Sequence, residues 1–118
     1  MTTQNVVNGS KVARIRTLND QLRQNFCGQN GRVMLTSGVA ALPEATRFKL
    51  FHAIQTFTEF SKDSDPHGEH DLVVVEVEGE KYFGKFDYYD IDMRYGADDP
   101  SDPEKTKRIL TIMLASEY

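Results

Sequence analysis

Two short segments of the chain concentrate the side chains that could carry chemistry. Residues 65–71 (DPHGEHD) hold two of the three histidines with a glutamate between them, and residues 86–92 (FDYYDID) add three aspartates. Imidazole nitrogens and carboxylate oxygens are suitable ligands for divalent metals, and a carboxylate beside a histidine can orient it as a general base. The candidate catalytic residues of a metal-dependent hydrolase or nuclease are therefore Glu69, His70, Asp87 and Asp90. The candidate metal ligands are Glu69, His70 and Asp87.

The same residues also fit a structural interpretation. The sequence contains no HExxH motif, no Cys/His zinc spacing and no EF-hand loop. Asp65 can instead cap a turn while His70 hydrogen-bonds to Asp87 across the open end of a hairpin, and clusters of this kind are often structural ion pairs. The sequence leaves both interpretations open, and it requires no cofactor.

Acidic side chains dominate one stretch of the chain. Residues 63–104 carry fourteen Asp or Glu against three Lys or Arg, although the whole chain has a formal net charge of only −4. Such asymmetry bears on partners and solubility, so we expect a protein partner with a basic surface to bind here. The residues proposed to contact it are Asp87, Asp90, Asp92, Asp98, Asp99 and Asp102. The alternative is a solvated acidic face without a partner. Nucleic-acid binding by the basic side chains of the first helix is less favoured, because the sequence pI is about 5.3.

Length and composition set the class of protein. With 118 residues, of which 39% are hydrophobic, the chain can form one domain with a buried core. Cys27 is the single cysteine, so no intramolecular disulfide can form and a reducing compartment is expected. The sequence has no recognisable secretion signal. It also has no uncharged stretch of about 18 residues, the length that a membrane span requires. We therefore expect a cytoplasmic protein without membrane contact, and the oligomeric state is left open.

The first element is predicted from helical periodicity. Apolar residues recur at spacings of three and four over residues 12–26, which predicts a helix that is capped by Ser10 and ends near Cys27. Asn19 lies at the edge of the apolar stripe, where a buried amide would need partners, for example in the hairpin. The Cys27 thiol is expected to be buried.

The candidate residues are held by elements further along the chain. A short apolar run predicts a buried strand at 32–36, and a second helix is predicted from Pro43 to about residue 60. Two β-rich runs at about 72–77 and 81–86 predict an antiparallel hairpin with Glu78-Gly79 as its turn. If Glu78 and Gly79 are the two loop residues, Glu76 pairs with Lys81, whereas a three-residue bulged turn would shift this register.

The last element is predicted to be a helix. Residues 101–104 (SDPE) fit a capping box with proline in the first turn. The apolar stripe that follows consists of Ile109, Leu110, Met113 and Leu114. The predicted fold is α+β, in the order α-β-α-β-β-α, with a flexible segment at 1–9 and a single domain at 10–118.

Several of these segments resemble a family of short bacterial proteins known only as a domain of unknown function. The matching stretches are 15–20 (IRTLND), 35–39 (LTSGV), 42–43 (LP), 65–71 (DPHGEHD), 86–90 (FDYYD), 99–103 (DPSDP), 110–115 (LTIMLA) and 117–118 (EY). The chain departs from the family pattern at His67, where an aromatic tyrosine is expected, and this departure weakens any scheme that uses His67 as a ligand. Members resemble cargo of plasmids and other mobile elements, which implies a role in transfer, maintenance or evasion of host defence. The resemblance implies no established activity.

Together these observations favour a non-enzymatic interaction module that binds a protein partner through its acidic surface. The metal-dependent hydrolase or nuclease is the alternative.

Overall fold

Four strands form one sheet that organises the whole chain. A computed structural model of the protein describes residues 3–118, with side chains from residue 11 onward. The helices are α1 (Thr3–Asn25), α2 (Ser37–Ala40) and α3 (Glu44–Thr56), and the strands are β1 (Gly31–Leu35), β2 (Leu72–Val77), β3 (Glu80–Asp90) and β4 (Thr106–Leu114). A 3-10 turn at Ala115–Glu117 follows the last strand.

The strand order in the sheet is β1-β4-β3-β2. β1 runs parallel to β4, whereas β3 is antiparallel to both β2 and β4. β4 is therefore a central strand, and β1 and β2 form the two edges. The predicted α+β class is confirmed.

One face of the sheet carries the helices and the core. Alternate residues of the strands are buried there, because side chains on a strand point to opposite faces in turn. They pack against Leu22 of α1 and against Leu50 and Ile54 of α3. The strand members of this core are Val73, Val75, Val77, Tyr82, Phe86, Leu110 and Ile112. Over the described residues the opposite face lacks a packed helix, and most of its side chains, Met34 among them, are partly or fully exposed, although Met113 is buried.

The predicted hairpin is confirmed, including its register. Glu76 pairs with Lys81, and the turn residues Glu78 and Gly79 have φ angles of 53° and 81°. Two successive residues with positive φ match the twist of the flanking strands. β3 extends beyond the predicted end at residue 86 to Asp90.

The predicted third helix is wrong, because residues 106–114 form strand β4. Thr106, Arg108, Leu110 and Ile112 all point into the core, and this alternation has the period of a strand. Two of these four inward positions are polar, so the sequence hides the alternation, and the neighbouring apolar residues give a misleading helical stripe. The observed order is α-β-α-α-β-β-β.

Three smaller predictions are also corrected. α1 begins at Thr3, so Ser10 is not its N-cap, and residues 1 and 2 of the predicted flexible segment lie outside the described residues. Cys27 is exposed and not buried; it lies beyond the end of α1, directly after Phe26, whose φ is 56°. β1 is an edge strand with an exposed Met34, and it is not a buried strand. None of the described helices combines the length and the apolar character needed to cross a membrane.

Candidate functional site

The loop before the hairpin is bound by one face of α1. Arg16 Nη1 donates to the carbonyl oxygen of Gly68 at 3.0 Å, and Asn19 Nδ2 donates to the carbonyl oxygen of Glu69 at 3.0 Å. The two side chains are three residues apart, so they project from the same side of the helix. Helix α1 thus holds the backbone of residues 68–71, the GEHD motif.

The candidate ligand His70 is held by a carboxylate that the sequence did not suggest. His70 Nδ1 lies 2.9 Å from Asp20 Oδ1, and the imidazole ring stacks on Phe60 with 3.7 Å between the ring centroids. The predicted hydrogen bond from His70 to Asp87 is therefore wrong. Asp65 does cap the turn, because its Oδ1 accepts from the backbone N–H of His70 at 3.1 Å.

The same Asp20 also binds a buried arginine. Arg23 is 2% exposed, and its Nη2 lies 2.9 Å from Asp20 Oδ1. Arg23 Nη1 donates to the carbonyl oxygens of Ile54 and Phe57, each at 3.0 Å, at the end of α3. A cation at a helix C-terminus is favourable because the last carbonyl groups have no partner within the helix. Asp20 and Arg23 therefore tie α1 to α3 and to the loop that carries His70.

Asn19 is the centre of a buried polar network, as its position on α1 predicted. Its Oδ1 accepts from Arg108 Nε at 2.7 Å, and its Nδ2 also contacts the Tyr88 hydroxyl at 2.7 Å. The Arg108 guanidinium lies over the Tyr88 ring, 5.2 Å from its centroid, and Nη2 donates to the carbonyl oxygen of Pro100. Burial lowers the pKa of Arg108 and raises the pKa of the Tyr88 phenol. The pKa of Glu69, next to this network, is raised mainly by burial and further by Asp71.

Each of the four candidate catalytic residues has a partner within the protein. The Tyr88 hydroxyl lies 3.5 Å from Glu69 Oε1, His70 binds Asp20, and Lys85 Nζ lies 3.2 Å from Asp87 Oδ1. Asp90 Oδ1 accepts from the backbone N–H of Arg94 at 2.9 Å. Among the described side chains, no group of three or more His, Cys, Asp or Glu could hold a metal ion. The geometry favours structural roles for these residues.

The aspartates of the predicted partner surface are only partly brought together. Asp90, Asp98, Asp99 and Asp102 line one concave surface of about 300 Å³, with Lys105 as the only basic residue lining it in the part of the chain that the structure describes. Asp92 is exposed in the turn that follows Asp90 and does not line this surface. Asp87 is separate from them, because it pairs with Lys85 on the face of the sheet away from the helices. We call residues 90–104 the acidic loop.

The tip of the acidic loop is a rigid extension of β3. Asp90 N–H donates to the carbonyl oxygen of Tyr95 at 2.9 Å, Met93 N–H donates to that of Asp90 at 3.0 Å, and a β-bridge joins Tyr89 to Gly96. The side chains of Ile91, Met93 and Tyr95 are 43%, 49% and 74% exposed. Sequence reasoning identified the charges of this segment but missed these apolar residues. Large apolar residues in an acidic segment rich in turn formers were the available signal.

Fold and site together define a two-layer α+β domain whose acidic loop presents an ordered apolar tip. The chain belongs to the family described as "Protein of unknown function (DUF3768)", whose model matches residues 35–117. The predicted resemblance to a family of unknown function is therefore confirmed. A search of curated proteins and a search of solved structures each found no match. The matched segment begins at the end of β1, so α1, which binds the GEHD backbone, lies outside it.

Proposed function

We propose that this protein is a non-enzymatic binding module that holds a protein partner with a basic surface through the acidic loop. The observation that carries the proposal is the concave surface lined by Asp90, Asp98, Asp99 and Asp102, together with the exposed Ile91, Met93 and Tyr95, which follow the end of β3. Interfaces combine apolar and aromatic anchors with a polar rim, and this loop supplies both. Large exposed apolar residues grouped in this way are a recognised sign of an interaction site.

Hydrogen bonds already order the backbone of the acidic loop, so the loop loses little conformational freedom when a partner binds. Its carboxylates order the backbone, because Asp99 Oδ1 accepts from Ser101 N–H at 3.1 Å and Asp102 Oδ1 accepts from Glu104 N–H at 3.0 Å. Each carboxylate has two oxygens and keeps acceptor capacity for a partner's Lys or Arg. A preorganised loop avoids part of the ordering entropy that usually opposes association.

The cellular setting extends the proposal. The resemblance to proteins carried on plasmids suggests an accessory role, such as evasion of host defence, in which the acidic loop would compete with nucleic acid for a basic partner. The single cysteine suggests a reducing cytoplasm as the compartment. Metal-dependent hydrolysis remains the second candidate from sequence, but no contact in the described residues favours it.

The test compares two triple variants that lose the same charge. In the loop variant, Asp98→Asn, Asp99→Asn and Asp102→Asn keep the oxygens that order the backbone. In the control variant, Asp63→Asn, Glu76→Gln and Glu80→Gln remove three exposed carboxylates elsewhere. A partner that is captured from cells, identified and purified is then titrated against all three proteins at two salt concentrations.

We expect the loop variant to bind at least about tenfold more weakly than the control variant, and binding of the native protein to weaken as salt rises. Tyr95→Ser should also weaken binding, because an exposed aromatic anchor is lost. Equal affinity of the loop and control variants would refute the proposal.

A further inference from the structure

The face of the sheet away from the helices, here called the open face, carries a groove beside β1. This groove is distinct from the acidic surface, the concave surface lined by Asp90, Asp98, Asp99 and Asp102. Two adjoining cavities of about 400 and 240 Å³ share Arg32, Met93 and Ile109 in their lining, so they form one continuous groove. Met34 and Tyr89 line the larger cavity and Lys107 the smaller one. The floor is therefore mostly apolar and the rim is basic.

The charge of this groove is opposite to that of the chain as a whole. The residues that line the two cavities include Arg32 and Lys107 but no Asp or Glu. Within the part of the chain whose side chains are described, neither cation lies within 4.0 Å of a carboxylate. Arg32 is in register with Ile109, so Lys107 is its diagonal neighbour on the same face. Lys107 Nζ donates to the neutral side-chain oxygen of Asn30 at 3.5 Å, so both cations keep N–H groups for an anionic group to accept from.

The groove borders the outer edge of β1, which pairs with no strand other than β4 among residues 3–118. Asn30 C=O accepts from Arg108 N–H, and Thr36 N–H donates to Ile112 C=O, so the even-numbered residues of this segment bond to β4. By the alternation of a parallel ladder, the backbone groups of Val33 and Leu35 point away from the sheet. β1 contains no proline and has no bulge in its pairing, two devices that commonly protect an edge.

We propose that β1 binds an extended acidic peptide by strand addition. Backbone hydrogen bonds to Val33 and Leu35 would hold the peptide at the edge, which is the usual basis of affinity in this mode. Alternate peptide side chains would then lie over the open face. One carboxylate lies beside Arg32, while Lys107 on β4, one strand further from the edge, adds positive potential, and the next side chain on that face is apolar and packs on Met34. This site adjoins the acidic loop, because Met93 of that loop lines the groove, but it differs from the acidic surface in selecting the opposite charge.

The probe for this site is a blocked, fluorescent eight-residue peptide in which threonine alternates with glutamate or valine. One control peptide carries lysine in place of glutamate, and a second is N-methylated at alternate residues, so that it cannot donate the backbone hydrogen bonds. The protein variant combines Arg32→Glu with Lys107→Glu. Its matched control combines Lys62→Glu with Lys81→Glu, which makes the same change in net charge at exposed positions.

We expect saturable binding of the glutamate peptide, at least about tenfold weaker binding to the Arg32/Lys107 variant than to its control, and weak binding of both control peptides. The largest amide shifts in a ¹⁵N-labelled sample should be those of Val33 and Leu35. Three results would overturn the proposal: no saturable binding, equal binding to both variants, or shifts confined to the acidic loop. A native chain that sediments as a dimer with concentration-dependent shifts at β1 would assign the edge to a second copy instead.

Discussion

Asn19 Oδ1 accepts a 2.7 Å hydrogen bond from Arg108 Nε across a separation of 89 positions in the chain. Asn19 is 0% exposed and Arg108 is 2% exposed, so this contact joins α1 to the central strand β4 inside the protein. A buried guanidinium is costly unless its N–H groups are bonded. The amide therefore decides whether Arg108 can be accommodated in the core.

Asn19→Ala should be strongly destabilising. The change leaves Arg108 Nε without its acceptor and the carbonyl oxygen of Glu69 without its donor, and each unsatisfied buried group costs about 1–3 kcal/mol. We expect the free energy of unfolding, measured with urea, to fall by about 2–4 kcal/mol. Asn25→Ala is the control on the same helix, since Asn25 is exposed and bonds only to the carbonyl oxygen of Gln21 within α1. Similar losses for the two variants would contradict the role assigned to Asn19.

Glu69→Gln tests the electrostatics of the same region. The pKa of Glu69 is raised in the folded protein above the ordinary 4.5, first by burial and then by Asp71. The folded chain therefore binds this proton more tightly than the unfolded chain, and the contribution of Glu69 to stability falls as pH rises through that window. At pH values above that window, the Glu69→Gln variant should therefore be more stable relative to the native protein. We expect the variant to gain stability over the native protein between pH 4 and pH 7, by less than about 1 kcal/mol because solvent reaches the carboxyl.

Urea titrations of both proteins at several pH values measure this difference. Glu80→Gln removes one negative charge from an exposed position of β3 and serves as the control. If the control shows the same gain, the effect reflects net charge and the explanation by burial fails.

Gly38→Ala should disturb the contact between α2 and the turn after β4. A Cβ at Gly38 would lie 2.5 Å from Leu114 Cδ1 and 2.7 Å from Glu117 Oε2. The Glu117 carboxylate cannot move away freely, because it accepts from Thr36 Oγ1 at 2.6 Å and from Leu114 N–H at 2.8 Å. We expect a loss of about 1–2 kcal/mol in the free energy of unfolding. Gly28→Ala, whose Cβ would come no closer than 4.0 Å to Leu22, should be nearly neutral when both variants are compared with the native protein by urea titration. If Gly38→Ala leaves the free energy of unfolding unchanged, the Glu117 side chain can move away from the added methyl group at little cost, and the prediction is wrong.

Local signals were sufficient for some elements of the fold. The hairpin register followed from the Glu78-Gly79 turn, because both the turn and the flanking alternation are encoded within a few residues. The second helix was also found, although it ends at Thr56 and not near residue 60. α2 was missed, because a helix of four residues is too short to show periodicity.

Long-range contacts explain what the sequence did not reveal. β4 was taken for a helix because two of its inward positions are Thr106 and Arg108, and the partner that makes Arg108 acceptable in the core is far away at Asn19. His70 was assigned to Asp87 because the hairpin brings their positions opposite each other. In the structure His70 turns to Asp20, which no local pattern links to it. The sequence therefore drew attention to residues 65–71 and 86–92 but did not reveal the contacts that hold them.

The place of β4 in the sheet has a consequence for how the protein is made. β4 is the last of the four strands along the chain, yet it lies between β1 and β3. The chain is synthesised from its amino end, so β1 emerges from the ribosome more than sixty residues before β4, its neighbour in the sheet of the described residues. The β2–β3 hairpin can pair earlier, but β1 has no strand beside it until β4 has been synthesised. The sheet is thus completed in one late step, and a nascent chain that stops before β4 leaves both sides of β1 open to other molecules.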